Sequence, residues 1–411
     1  MTPFLQLALS LVIIITTAKL GGYLSYRFGQ PVVLGELLVG ILLGPSVIDL
    51  FHQPYFTDPN LPEAIHSLAE IGVLMLMFLA GLDLHLSDLF HSGKVAGLAG
   101  TLGVLIPLGL GTGSGLLFAM DLQSSIFIGL TLAATSVSIS AQTLIELKVI
   151  RSKVGTSLLG AAVFDDILVI LGLSIFTALA QPNSGGGIAG ILIVILRMVL
   201  YLGLASLAGW WLFPRITRRI HNQPISQGLI AFVFVTILIY GWLAEVTGDM
   251  AAITGAFLAG LWLGRTDLKE RISTGISTIA YGIFVPIFFI NIGLSANARE
   301  LDASSLVLLL VFTLVAVIGK VLGSGWGASL GGFTRLEALQ LGVGMMSRGE
   351  VGLIVAAVGV KEGYISESAF SAIVGVVILT TILTPVFLRH LFTQNSQPAP
   401  AVQKSTEGEA K

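Results

Sequence analysis

Apolar residues along this chain gather in runs of about 20, the length an α-helix needs to cross roughly 30 Å of hydrocarbon. Thirteen such runs are present, at 4–27, 31–51, 64–84, 95–120, 123–147, 154–180, 187–213, 226–246, 249–264, 274–294, 305–331, 337–360 and 368–393. The ninth is short. The pattern predicts an all-α integral membrane protein with about 13 transmembrane helices. The first run has no basic residue before Lys19 and no clear small-residue cleavage site, so it reads as a retained helix rather than a secretory signal.

Composition supports a multi-pass membrane chain. Charged residues are 11% of 411 and hydrophobic residues 55%, with a mean hydropathy of +0.94, where a soluble domain carries roughly 25% charged residues. The net charge of -2 and the absence of a basic patch exclude nucleic acid as a partner, and with no cysteine there is neither a disulfide nor a thiolate metal site. What charge there is follows an alternation. Of the 21 Lys and Arg, fifteen fall in the odd-to-even connections and the C-terminal stretch, whereas the even-to-odd connections hold only Arg299 and Lys361. Lys and Arg collect in cytoplasmic loops, so the chain is expected to start outside and end in the cytoplasm. The expected location is a bacterial inner (plasma) membrane or an internal photosynthetic one.

An internal repeat accompanies the runs. The frame G-x-x-L-x-G-x-x-L-G occurs at 35–44 and again at 255–264, an offset of 220, and Phe78–Leu82 is echoed more weakly by Ile290–Leu294 at an offset of 212. The first pair lies on helices two and nine, which are an odd number of crossings apart, so the copies run in opposite directions through the membrane. The expected organisation is a transmembrane domain over 1–393, with inverted repeats at roughly 31–180 and 249–393 linked by 187–246. The stretch 394–411, rich in Pro, Gln, Ser, Glu and Ala, reads as a disordered cytoplasmic tail.

Candidate chemistry lies where charge persists inside the runs despite a cost of about 2.5 to 3.5 kcal/mol per residue on the insertion scale. Asp165 and Asp166 are adjacent near the middle of the sixth run, and Lys320 stands near the middle of the eleventh. Neighbouring helical residues point about 100° apart, so one carboxylate is free to pair with the lysine while the other faces a water-filled cavity and holds a proton or a cation. The spacing does not say which does which. A bland alternative is a structural ion pair, but that needs a single Asp. Two stretches, Thr135–Ser140 and Gly342–Gly352, are suited to unwinding at mid-depth, where carbonyl oxygens and the hydroxyls of Thr135 and Ser136 suit a hard monovalent cation. Ser138 and Ser140 read as packing residues. Arg348 and Glu350 read as structural charges that offset the dipoles of interrupted helices. Glu36 and Asp83, near run ends, are expected to pair or cap. The six histidines, His85 and His91 among them, fall near loops, and Asn291 is suited to bonding an unwound carbonyl.

Together, Phe28-Gly29-Gln30-Pro31-Val32-Val33-Leu34-Gly35-Glu36, Thr135-Ser136, Phe164-Asp165-Asp166, Gly319-Lys320 and Ser347-Arg348-Gly349-Glu350 resemble the monovalent cation:proton antiporter-2 family, whose members share an NhaA-like fold. The resemblance implies a core ion-translocation bundle with two discontinuous crossing helices, a dimerisation domain, and a homodimer working by elevator-like alternating access. It places the ion pair on Asp165 with Lys320, and the Na⁺ ligands on Asp166, Thr135 and Ser136. It also implies an electrogenic Na⁺/H⁺ antiporter: a secondary transporter rather than an enzyme, with no resident cofactor and with Na⁺ (or Li⁺ or K⁺) and H⁺ as substrates. Potassium-efflux relatives replace the first Asp by Gln and append a nucleotide-binding domain. Here both Asp are present and the chain ends 18 residues after the last run, which disfavours ligand-gated efflux, though a K⁺/H⁺ antiporter stands as the alternative. A passive cation channel lacks a pore motif, and an intramembrane aspartyl protease needs its two Asp on different helices.

Overall fold

The computed structural model describes residues 1–84, 93–180, 187–221, 223, 226–294 and 303–393, and among these it contains helices and no strand. In chain order they are α1 (Pro3–Arg27), α2 (Val32–Leu43), α3 (Leu61–Asp83), α4 (Gly93–Leu117), α5 (Leu122–Ala133), α6 (Val137–Glu146), α7 (Lys153–Ala180) and α8 (Gly187–His221). There follow α9 (Gly228–Gly248), α10 (Ala252–Leu263), α11 (Lys269–Ile279), α12 (Val285–Leu294), α13 (Ala303–Leu330), α14 (Arg335–Gly344), α15 (Glu350–Lys361) and α16 (Glu367–Thr393). Ten helical stretches are long and apolar enough to cross a membrane, and Val32–Leu43, Ala252–Leu263 and Val351–Val360 are shorter apolar helices. The predicted tail, 394–411, and both His85 and His91 lie outside the described residues.

Three runs behave differently from a plain helix. The second, expected over 31–51, ends its α-helix at Leu43, because Pro45 disfavours helical backbone at Gly44, whose ψ is 178°, and only a 3₁₀ turn at Leu50–His52 follows. The tenth starts earlier than expected, at Lys269, and carries a π-turn, Ala280–Phe284, between α11 and α12. Lys19 Nζ donates 2.7 Å to the Tyr281 carbonyl within that turn and lies 3.7 Å from Glu36. The seventh continues past 213 to His221. α2 and α10, each of 12 residues, begin and end at positions 220 apart.

Hydrophobic burial does little to separate helix from lipid, so close backbone approach decides which helices join. On that criterion the helices form two groups. In the first, α4 packs on α5, α7 and α13, and α13 on α14 and α16. In the second, α2 packs on α1 and α12, and α3 on α10 and α12, while α9 packs on α10. A Cβ on Gly81 of α3 would stand 2.1 Å from the Phe257 carbonyl of α10, and one on Gly260 of α10 would stand 2.0 Å from the Phe78 carbonyl of α3. α8 touches α7 on one side and α9 and α10 on the other.

Polar contacts cross between the groups at one end. Glu146, closing α6, accepts from the N–H groups of Val32 at 2.7 Å and Val33 at 3.3 Å, and from Gln142 Nε2 at 2.9 Å. The first turn of α2 has no cap of its own, since Pro31 stands at the N-cap, so Glu146 supplies the missing acceptor. Nearby, Arg151 pairs with Asp83 at 2.8 Å.

The glycine contacts make the fold testable. Gly81→Ala and Gly260→Ala should each lower stability by about 1 to 3 kcal/mol through overpacking. Gly203→Ala, on α8 where nothing stands within 4 Å of the added carbon, should leave it unchanged or raise it. Thermal unfolding of the detergent-solubilised protein measures the difference.

Candidate functional site

Two helix interruptions face each other inside the first group. At Ala134 to Ser136 the backbone is extended, with ψ of 139° and 110° at those two residues, and α14 gives way to α15 through Met345 to Gly349. The interruptions satisfy one another. Ser136 N–H donates to the Ser347 carbonyl at 2.9 Å, and Ser347 Oγ donates back to the Ser136 carbonyl at 2.6 Å. Ser140 Oγ donates to the Gly344 carbonyl and lies 3.2 Å from Ser347 Oγ. Ser136 Oγ bonds Ser138 Oγ at 2.9 Å. A Cβ on Gly349 would stand 2.5 Å from Ser136 Cβ and Oγ, so only glycine admits this crossing distance.

Helix α16 completes the accounting. Thr380 Oγ1 accepts from Arg348 N–H at 3.1 Å, and Thr381 Oγ1 donates to the Arg348 carbonyl at 2.8 Å. The buried Arg348 guanidinium donates to the carbonyls of Met345 (3.4 Å) and Met346 (2.8 Å), just past α14, and to Ala316 of α13 at 2.9 Å. A cation there opposes the negative end of the α14 dipole. Glu350 opens α15, and its side chain lies outside the described residues.

Asp165 and Asp166, consecutive on α7, point into different surroundings. Asp165 and Lys320 are both fully buried and form an ion pair between α7 and α13. Two glycines on α4 make room for it: a Cβ on Gly100 would stand 2.8 Å from the Ala161 carbonyl of α7, and one on Gly103 would stand 2.3 Å from Ser324 Oγ and 3.7 Å from Lys320 Nζ. Thr135 Oγ1 and Asp165 Oδ2 are buried near one another, yet neither makes a hydrogen bond of ordinary geometry. Asp166, also buried, turns toward α10, where Thr254 Oγ1 lies 3.4 Å from its Oδ2. Beside them is a small cavity of about 10 Å³, room for about one water-sized particle, lined otherwise by apolar side chains such as Val137, Ile253 and Phe257.

Of the expected site residues, the structure brings Asp165, Lys320 and Thr135 together and sets Asp166 in the cavity. Thr135 and Ser136 are not part of that cavity's lining, and the oxygen facing Asp166 there is Thr254, which the sequence did not single out. Ser140, set aside as packing, bonds the opposite interruption. Asn291 Nδ2 lies 3.2 Å from His66 Nδ1.

Residues 12–394 match the family described as sodium/hydrogen exchanger, transmembrane. The chain belongs to this family. It is 38% identical to the Na(+)/H(+)-K(+) antiporter GerN of Bacillus cereus, over 95% of this chain and 96% of that one. It is 35% identical to the Na(+)/H(+) antiporter of Enterococcus hirae, over 92% and 96%. Solved structures of the sodium proton antiporter MjNhaP1 of Methanocaldococcus jannaschii share the fold, one of them with a TM-score of 0.70 at 17% identity over 96% of this chain and 97% of that one. The sodium/hydrogen exchanger family is one of transporters, and this member is a multi-pass membrane protein.

In such an exchanger the ion pair carries a stability signature. Lys320→Met leaves the Asp165 carboxylate buried without its partner and should cost about 3 to 5 kcal/mol, the range for breaking a buried pair from one side. The double variant Asp165→Asn/Lys320→Met should recover most of it, which thermal unfolding of the four proteins in a double-mutant cycle would detect as non-additivity.

Proposed function

We propose that this exchanger moves Na⁺ against protons by alternating access, with Asp166 holding the cation or a proton in turn. The observation that carries this reading is the separation of two neighbouring carboxylates, Asp165 tied to Lys320 within one helix group and Asp166 at a small, single-particle cavity where the two groups meet. A carboxylate there is charged when it takes Na⁺ and neutral when it takes H⁺, so the two substrates compete for one place. Arrival of a proton at Asp165 neutralises its carboxylate and loosens its pair with the Lys320 ammonium, so this proton joins the one taken by Asp166 in the exchange. Two protons per Na⁺ then make the cycle electrogenic, and an electroneutral cycle in liposomes would contradict that stoichiometry.

The architecture we infer follows the same lines. The three shorter apolar helices join the ten long ones to make thirteen passages, with the N-terminus outside and the C-terminus in the cytoplasm of a bacterial inner membrane or an internal photosynthetic one. Segments 31–180 and 249–393 form the inverted repeat. Its support is the 220-residue offset between α2 and α10 and the opposed interruptions at 134–136 and 345–349. The first helix group acts as the elevator core, with α5/α6 and α14/α15 as crossing helices whose ends Arg348 and Glu350 balance. The second is the dimerisation domain of a homodimer. Thr135 and Ser136 enter the cation's oxygen set, together with Asp166, once the core has shifted. The Na(+)/H(+)-K(+) name of GerN favours K⁺ as a second cation.

Proteoliposomes with an internal pH dye test the reading. Added Na⁺ should drive proton movement in the wild type and fail to do so in Asp166→Asn. Exchange that survives in Asp166→Asn would overturn the site, and no exchange with Na⁺, Li⁺ or K⁺ in folded wild type would overturn antiport.

A further inference from the structure

The Asp166 cavity joins residues from both helix groups, and its polar content is uneven. Of its nine lining residues, seven are apolar, and the remaining two are Asp166 on α7 in the first group and Thr254 on α10 in the second. Thr254 Oγ1 is 3.4 Å from Asp166 Oδ2, and both residues are buried. A hydroxyl has one hydrogen and two lone pairs. It donates to a bare carboxylate, and by turning about its C–O bond it offers a lone pair to a cation that the carboxylate binds. In a space for a single particle, one added oxygen is a large part of what replaces the cation's hydration.

This oxygen does not travel with the carboxylate. Asp166 stands on α7 in the first helix group, and Thr254 stands on the first turn of α10 in the second. Alternating access displaces one group against the other, so a side-chain contact made across the boundary at one end of the cycle is broken at the other.

We propose that Thr254 is a positioning residue for the transported cation that acts at one end of the cycle only, so that the two faces of the membrane see unequal cation affinity. The proposal rests on Asp166 being the exchange carboxylate and on the two helix groups moving against one another. It predicts that the hydroxyl sets the apparent affinity on one side without setting the rate, a division that a merely structural threonine would not produce.

The test measures the Na⁺ dependence of proton exchange separately from each side, in right-side-out and everted membrane vesicles. Thr254→Val keeps the shape and removes the oxygen. It should raise the apparent KM for Na⁺ roughly tenfold on one side, the worth of one hydrogen bond to a charged group. The other side and the maximal rate should be little changed, and Thr254→Ser should restore the wild-type value. An unchanged KM in Thr254→Val, or an equal rise on both sides, would overturn the proposal. Asp166→Asn is run in parallel: if it still exchanges, the underlying site reading fails, whereas its loss of exchange alongside either of those outcomes rejects the role of Thr254 alone.

Discussion

An interrupted helix inside a membrane leaves N–H and C=O groups where no water can reach them, and each unpaired group costs several kcal/mol. Here the two interruptions are placed so that one supplies what the other lacks. Ser136 and Ser347 exchange a backbone N–H and a side-chain hydroxyl for each other's carbonyls, and Thr380 and Thr381 of α16 close the account at Arg348. Neither break is satisfied alone. The first helix group is therefore organised around this crossing, and it must move as a unit if it moves at all.

Helix geometry does the next piece of work. A turn of about 100° between consecutive residues puts the Asp165 carboxylate inside the group, against a fully buried lysine, and the Asp166 carboxylate at the group's edge. The ion pair contributes little net stability once desolvation is counted, but losing one partner is costly, so it fixes the register of α7 against α13. That register holds Asp166 at the boundary. On the proposed reading, a single Asp would have to choose between anchoring and exchange, and the doublet separates the two.

Much of this was legible in the chain. The apolar runs and the Lys/Arg alternation announce a many-helix membrane protein, and the cost of intramembrane charge points directly to Asp165, Asp166 and Lys320. What escaped are partners supplied from far along the chain. Thr254 is 88 residues from Asp166, and Glu146 lies 114 residues from the α2 N–H that it satisfies. Neither has a local signature, since a threonine in an apolar helix and a glutamate at a helix end are commonplace. Run length also misled at α2, because hydropathy does not register that Pro45 ends a helix while the residues around it remain apolar.

The contrast between the contacts within each helix group and those between the groups bears on how an exchanger of this kind can work. Within groups, glycines bring backbone against backbone, as Gly81 and Gly260 do at α3 and α10, and any sliding would break that fit along its whole length. Between groups, the polar contacts are side chains reaching a helix end or one another: Glu146 on the first turn of α2, Arg151 on Asp83 and Thr254 on Asp166. Such contacts are lost one at a time and remade elsewhere at modest cost. In the proposed cycle the cation site sits on this exchangeable boundary, so the displacement that alternating access requires and the change in the cation's surroundings are the same event.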